Sequence, residues 1–273
     1  MRVITDEEKL ADLQSMTLMD DVFMRIFFKD NIPCTQIMLR VILDKPDLMV
    51  KDVKVQYMLK GADGSRYVRL DVWAEDAKGT QYDVEVQNEA AGASPQRARY
   101  NSAIIDTNIL KPKEDYSVLK DKESVVIFIT DKDVLGDDEP LYIIDRVILK
   151  SGKPFSDGSH IVYANSSHQD LKTALGRLMH DFKCVEPEDM FDPVFAGTAK
   201  AAKGGGKRMG AIKEMELQAE ARGEARGEAR GKISASETIA RNLLKAGKNA
   251  LEEIAEVCGL TLQRVQELAK SAN

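Results

Sequence analysis

Long apolar runs are missing from this chain of 273 residues. No stretch reaches the roughly 18 consecutive apolar residues of a membrane helix, so no membrane span is expected. Cysteine is scarce: Cys34, Cys184 and Cys258 are odd in number and far apart. They form neither a disulfide framework nor a zinc knuckle, and a reducing cytoplasm is the compartment that this usage implies. Histidine is scarcer in effect, because His160, His168 and His180 show no ligand spacing. Positive charge is in deficit, with 39 Lys and Arg against 45 Asp and Glu and a net charge of −6. That balance argues against bulk electrostatic capture of nucleic acid and leaves a local basic groove open. The first ten residues, MRVITDEEKL, carry acids where a signal peptide needs an apolar core. What is present, 43% hydrophobic and 31% charged residues, is a soluble globular composition. The length suits one large domain or one domain with an appendage.

Periodicity gives an order of elements. Val22, Phe23, Ile26 and Phe27 form a helical stripe within 15–45, and a second short helix follows from Gln36 to Leu43. Residues 50–58, 66–74 and 80–88 alternate as strands. Ser94–Pro95 supplies a capping hydroxyl and a first-turn proline for a helix ending near Leu110. Ser124–Thr130 is a continuous apolar run, as in a buried strand, and Leu141–Leu149 reads as another. A helix from Ser167 to Lys183, with Leu171, Leu175 and Leu178 inward, closes an α/β layer pattern. Composition changes near Lys200. The glycine run and the AEAR-GEAR-GEAR repeat at 219–230 read as a solvated linker, since like charges four apart and interior glycines both weaken a helix. The expected organisation is a core over 1–195, a flexible or marginally helical linker over 196–232 and a small helical tail over 233–273. In the tail, the Cys258–Gly259–Leu260 turn with Thr261 as a cap suits either a helix-turn-helix or a dimerisation hairpin. The C-terminal helices thus offer a homodimer contact.

The stretch 66–88 carries the chemistry. If Asp76 pairs with Thr80, the loop Ala77–Lys78–Gly79 is a three-residue hairpin with glycine at its left-handed position. Asp71 then lies opposite Glu85, Arg69 opposite Gln87 and Trp73 opposite Asp83, with Cβ atoms about 4.5–5.5 Å apart. Two facing carboxylates repel unless a proton, an arginine or a divalent cation compensates them. One carboxylate from each of two rigid strands suits Mg²⁺ or Mn²⁺.

Asp71 followed by Glu85-Val86-Gln87 resembles the PD-(D/E)XK nuclease signature. The flanking words Asp20-Asp-Val-Phe-Met-Arg-Ile-Phe27, Leu70-Asp-Val-Trp73, Tyr82-Asp-Val-Glu-Val-Gln87, Gln96-Arg-Ala-Arg-Tyr100 and Tyr116-Ser-Val-Leu-Lys120 resemble one branch, the Rpn-type recombination-promoting nucleases or PD-(D/E)XK family transposases. So do Ile239–Gly247 and Glu253–Leu260 in the tail. The resemblance implies a restriction-endonuclease-like mixed central sheet flanked by helices, here with a helical C-terminal tail, and Mg²⁺-dependent (or Mn²⁺-dependent) cleavage of DNA phosphodiesters linked to recombination or mobile elements. Residue by residue it implies Asp71 and Glu85 as metal ligands, with the Val86 carbonyl completing the inner shell. Gln87 stands at the usual lysine position, and Asp20 is the first-helix acid. Met24 stands where many relatives carry lysine, and Gln87 brings no positive charge to an oxyanion. Arg69, Arg97, Arg99 and Tyr100 are the candidate contacts to DNA, with Arg66, Lys111 and Lys113 extending the groove. For Arg97 the competing reading is a salt bridge to the acid cluster. Because of the missing lysine and the negative net charge, the alternative function is a nuclease-fold protein without turnover that serves as a DNA-binding or regulatory module.

Overall fold

A computed structural model of the chain describes residues 6–61, 67–204, 213, 233–245 and 250–271. The chain divides into two compact units, 1–213 and 214–273. The first is built on a six-stranded mixed sheet flanked by helices. Three helices come first: α1 (Asp6–Ser15), α2 (Asp21–Phe28) and α3 (Ile32–Leu43). Next come the antiparallel strands β1 (Val50–Leu59), β2 (Val68–Asp76) and β3 (Gln81–Gln87). Helix α4 (Pro95–Ile109) starts where the sequence places it, with the Ser94 hydroxyl accepting from the Arg97 amide at 3.3 Å. It carries the chain across to β4 (Ser124–Thr130), which lies parallel to β3, and the short α5 (Val118–Asp121) lies between them.

The strand expected over 141–149 is interrupted. β5 (Leu141–Ile144) pairs with the sheet, whereas β6 (Val147–Ile148) folds back on β7 (Lys153–Pro154) as a separate ribbon. β8 (Ser159–Asn165), which the sequence reading missed, lies between β4 and β5, so the sheet order is β1-β2-β3-β4-β8-β5. The last helices of this unit are α6 (Ala174–Lys183) and α7 (Pro193–Lys203). α6 begins later than expected, because Thr173 caps it by accepting from the Gly176 amide at 2.9 Å. Leu171 therefore lies before the helix and is exposed rather than inward.

β4 is buried along its whole length, so both sheet faces are covered. On one face Val126 and Phe128 of β4, Tyr163 of β8 and Leu70 of β2 pack against Ala98, Ile104, Ile105 and Ile109 of α4. Elsewhere in the unit, α2, α6 and α7 meet through Phe27, Phe28, Phe182 and Phe195, with ring centroids 5.0 Å apart for Phe27–Phe195 and 6.1 Å for Phe28–Phe182. The boundary expected at 195 thus falls inside a packed helix. Buried Lys203, near the end of α7, donates to the carbonyls of Gln14, Met16 and Val185 at 2.9, 2.7 and 2.5 Å. Phe195→Ala should remove about 3–5 kcal/mol from this unit. In thermal melts that is a drop in Tm of roughly 10 °C. An unchanged melt would restore 196–203 to the linker.

The second unit has a core of its own. A helix over 233–245 (α8), α9 (Leu251–Cys258) and α10 (Leu262–Ser271) bury Ala240, Ile254, Cys258, Val265 and Leu268 together. Gly259 closes α9 in the left-handed conformation (φ 62°), and the Thr261 hydroxyl accepts from the Arg264 amide at 3.3 Å. Arg264 is held within the unit by Glu237 and Glu267, at 2.8 and 2.7 Å. The AEAR-GEAR-GEAR repeat and Arg66 lie outside the described residues. Among the described residues no helix is long and apolar enough to cross a membrane, and Cys34, Cys184 and Cys258 are buried.

Candidate active site

The β2–β3 hairpin closes as its loop residues dictate. The Asp76 amide donates to the Thr80 carbonyl at 3.1 Å, and Gly79 takes the left-handed conformation (φ 88°). One Asp76 carboxylate oxygen accepts from the amides of Lys78 and Thr80 at 2.9 and 3.0 Å, and the other accepts from the Tyr82 hydroxyl at 2.9 Å. The register is therefore pinned: Glu75 faces Gln81, Ala74 faces Tyr82, Trp73 faces Asp83 and Val72 faces Val84. That ladder ends at Val72 and Val84, one step short of Asp71 and Glu85.

On its other side β2 loses regularity at the same residue. The β1–β2 pairing passes from Val55–Val72 to Tyr57–Leu70 over Gln56, whose φ is 52°. A positive φ within a strand is costly for a residue with a side chain and is found where function requires it. Asp71 thus occupies a break in both ladders. The alternation slips there too: Leu70 and Trp73 lie in one core cluster, although even alternation sets them on opposite faces.

Three carboxyl groups converge beside this break. Glu85 and Asp83 have no solvent exposure at all, and Asp71 is half-buried. From amide groups Asp71 receives long contacts, from Gln56 at 3.3 Å, the Val86 backbone N–H at 3.4 Å and Gln87 at 3.5 Å. Gln87 also donates to Glu85 Oε2 at 3.1 Å, and Asn101 of α4 donates to Asp83 Oδ2 at 2.8 Å. Glu85 Oε1 and Asp83 Oδ1 are buried and have no donor. Burial raises the pKa of all three groups above the ordinary carboxyl range. Asp21 adds to the rise at Asp71, and Asp83 and Asp71 add to it at Glu85. The direct carboxyl–carboxyl contacts of Glu85 with Asp71 and Asp83 are hydrogen bonds only while a proton is retained there.

Arg97, one turn into α4, opposes this rise. Its guanidinium pairs with Glu85 Oε2, donates to the Gly92 carbonyl at 2.8 Å and lies over the Phe128 ring at 5.9 Å. Gly92 leaves the room that Gln87 uses, because a Cβ there would come within 2.1 Å of the Gln87 amide oxygen. A cleft of about 980 Å³ opens from Asp71 past Arg97 and Arg69 to Tyr67 and Tyr100.

The structure therefore brings Asp71, Glu85, Gln87 and Arg97 together, with Arg69 and Tyr100 along the adjoining cleft. The salt-bridge reading of Arg97 is realised, since the group pairs with Glu85 while also lining the cleft. Two of the expected residues lie elsewhere. The Asp20 carboxylate is turned back onto Thr17, accepting from its amide at 2.8 Å and its hydroxyl at 3.2 Å. The α2 acid whose charge reaches Asp71 is Asp21, which grips Arg25 at 2.7 and 2.5 Å. Arg99 is exposed on α4 and lies outside the cleft lining. Asn101 was not foreseen. Its signal was a polar residue four after Arg97 on a face otherwise made of Ala98, Ile104 and Ile105.

The donor set fits a divalent cation. Two carboxylates from adjoining strands, one of them with a bare buried oxygen, offer hard oxygen ligands. The Val86 N–H faces Asp71, and in an extended strand the carbonyl of the same residue lies on the same edge. Among the described residues no group of three or more His, Cys, Asp or Glu side chains is arranged as a metal cage. An ion here would rest on two carboxylates and a backbone oxygen, and such sparse protein ligation is ordinary for Mg²⁺.

Comparison with the curated proteins and with the solved structures returned no match. A family model described as a PD-(D/E)XK nuclease family transposase matches residues 17–173, which span α2 to the start of α6 and include every residue of the carboxyl cluster. The chain belongs to the PD-(D/E)XK nuclease family transposases.

Proposed function

We propose that this protein is a metal-dependent DNA endonuclease that hydrolyses phosphodiester bonds, and that its work is tied to recombination or mobile elements. One observation carries the reading: buried Glu85 is pressed against Asp71 and Asp83 with one oxygen left without a donor. An arrangement of that kind lowers stability, and an oxygen-seeking cation relieves it. Asp71, Glu85 and the Val86 carbonyl would hold Mg²⁺ or Mn²⁺, which when bound acidifies water and offsets charge building on the phosphate. Gln87 spans both carboxylates with one amide and fixes their spacing. Arg97 supplies the positive charge that glutamine lacks. Arg69 faces the cleft as a phosphate contact. In this reading Asp20 shapes the approach to α2, and Asp21 takes the place nearest the acids.

A second reading rests on the Arg97–Glu85 pair. If that arginine is a permanent counter-charge, the fold is a DNA-binding or regulatory module without turnover. Incubation with supercoiled plasmid and Mg²⁺ or Mn²⁺, with and without chelator, decides between the two. Nicking that the chelator stops and that Asp71→Ala abolishes is expected. Cleavage that survives both treatments sinks the assignment.

A further inference from the structure

The carboxyl cluster lies at the bottom of a recess and not on a flat face. Glu85 and Asp83 are fully enclosed, and solvent reaches the site along the cleft beside Asp71. At about 980 Å³ the cleft is the size of a small-molecule pocket.

Its walls are unusual for a chain with 6% aromatic residues. Tyr67 is 58% exposed and Tyr100 is 37% exposed, and both line the cleft, along with Met58 at 52%. Large side chains of this kind are normally withdrawn from water. Among the described residues the positive charge on the lining comes from Arg69 and from Arg97, the latter already paired to Glu85. A groove that tracked duplex phosphates would need many more cations, and the net charge of −6 supplies no general attraction. Aromatic faces with few cations are the means by which proteins hold unstacked bases.

We infer that the cleft binds an unpaired DNA strand, with Tyr67 and Tyr100 as stacking platforms for bases flanking the scissile phosphate and Arg69 at the backbone. This rests on the nuclease reading for the choice of DNA and goes beyond it in naming the substrate form. Tyr67 precedes β2 and Tyr100 stands on the second turn of α4, and both line the cleft together with Asp71. A supercoiled plasmid, being underwound, would present such a strand locally and be cut before its relaxed form.

The test is binding without turnover. Full-length Glu85→Gln protein in chelator is titrated by fluorescence anisotropy into a labelled single strand of about 15 nucleotides and into the matching blunt duplex. The single strand should bind at least roughly tenfold tighter, with a shallow salt dependence of about one or two released counterions. Tyr67→Ala and Tyr100→Ala should each weaken single-strand binding by about 5- to 150-fold with unchanged thermal melts, and the phenylalanine variants should restore it. Equal or tighter duplex binding, or indifference to both alanine variants, overturns the inference. A duplex bound and cut while the single strand is ignored would do so and leave the nuclease reading intact. A tightly held single strand, on a wild-type protein that cuts nothing, would support the inference and defeat the nuclease reading.

Discussion

Glu85→Gln is expected to eliminate cleavage and, unlike most changes at a fully buried position, to stabilise the metal-free protein. Glutamine keeps an oxygen for Arg97 and Gln87 and is neutral beside Asp71 and Asp83 without having to hold a proton. The sign follows from linkage. Glu85, Asp71 and Asp83 have folded pKa values raised above the ordinary range. The folded state therefore retains protons that the unfolded chain releases from about pH 4 upward, and metal-free stability falls as pH rises from there through the folded values. Each such proton is worth at most about 1.4 kcal/mol per pH unit. In wild-type protein the decline should be evident across pH 5–8 in chelator. Glu85→Gln should flatten it and gain about 1–2 kcal/mol near neutrality. Added Mg²⁺ or Mn²⁺ should do the opposite of chelator, raising the wild-type melting temperature more at pH 8 than at pH 6, because the ligands shed protons on binding. Cleavage should fall by at least about 100-fold. A variant that melts lower than wild type at every pH would show that the carboxyl group serves the fold and is not held at a cost for an ion.

Arg97→Ala should have the next largest effect, and its direction separates the two functional readings. As the charge that faces the phosphate, Arg97 is expected to contribute about 100- to 1,000-fold to the rate, and its loss should push Glu85 still further from ionisation. Metal-induced stabilisation should then appear only at higher pH than in wild type. Arg97→Lys should recover little, because the guanidinium reaches both Glu85 and the Gly92 carbonyl and a single ammonium does not have that reach. If the arginine were a plug, its removal would instead tighten metal binding and release activity. Plasmid nicking and metal-dependent melting, read on the same variant, report these outcomes separately.

The site was only partly legible in the sequence. The short loop sets the strand register as far as Val72 and Val84. Asp76, Gly79 and Thr80 behave as their types dictate, and a period of two carries that register outward. The same rule failed at the residue that matters, because Gln56 bends β1 and the ladder parts just before Asp71. Periodicity records no such bend. Asp20 is named by its position in a motif. Which way each of two adjacent acids points depends on the rotation of α2 about its axis, and Phe27 and Phe28 bear on that by packing against Phe195 and Phe182 of α7 and α6.

Sequence alone thus determined the hairpin, its turn, the capped start of α4 and the family words, all of which arise within a few neighbouring residues. Tertiary structure decided what surrounds the clustered acids. Arg97 and Asn101 reach them because α4 carries the chain from β3 to a parallel neighbour, β4. Burial and counter-charge are sums over elements distant in the chain, so no local pattern encodes them. They nevertheless govern whether a pair of carboxylates is a polar surface or a site held ready for a cation.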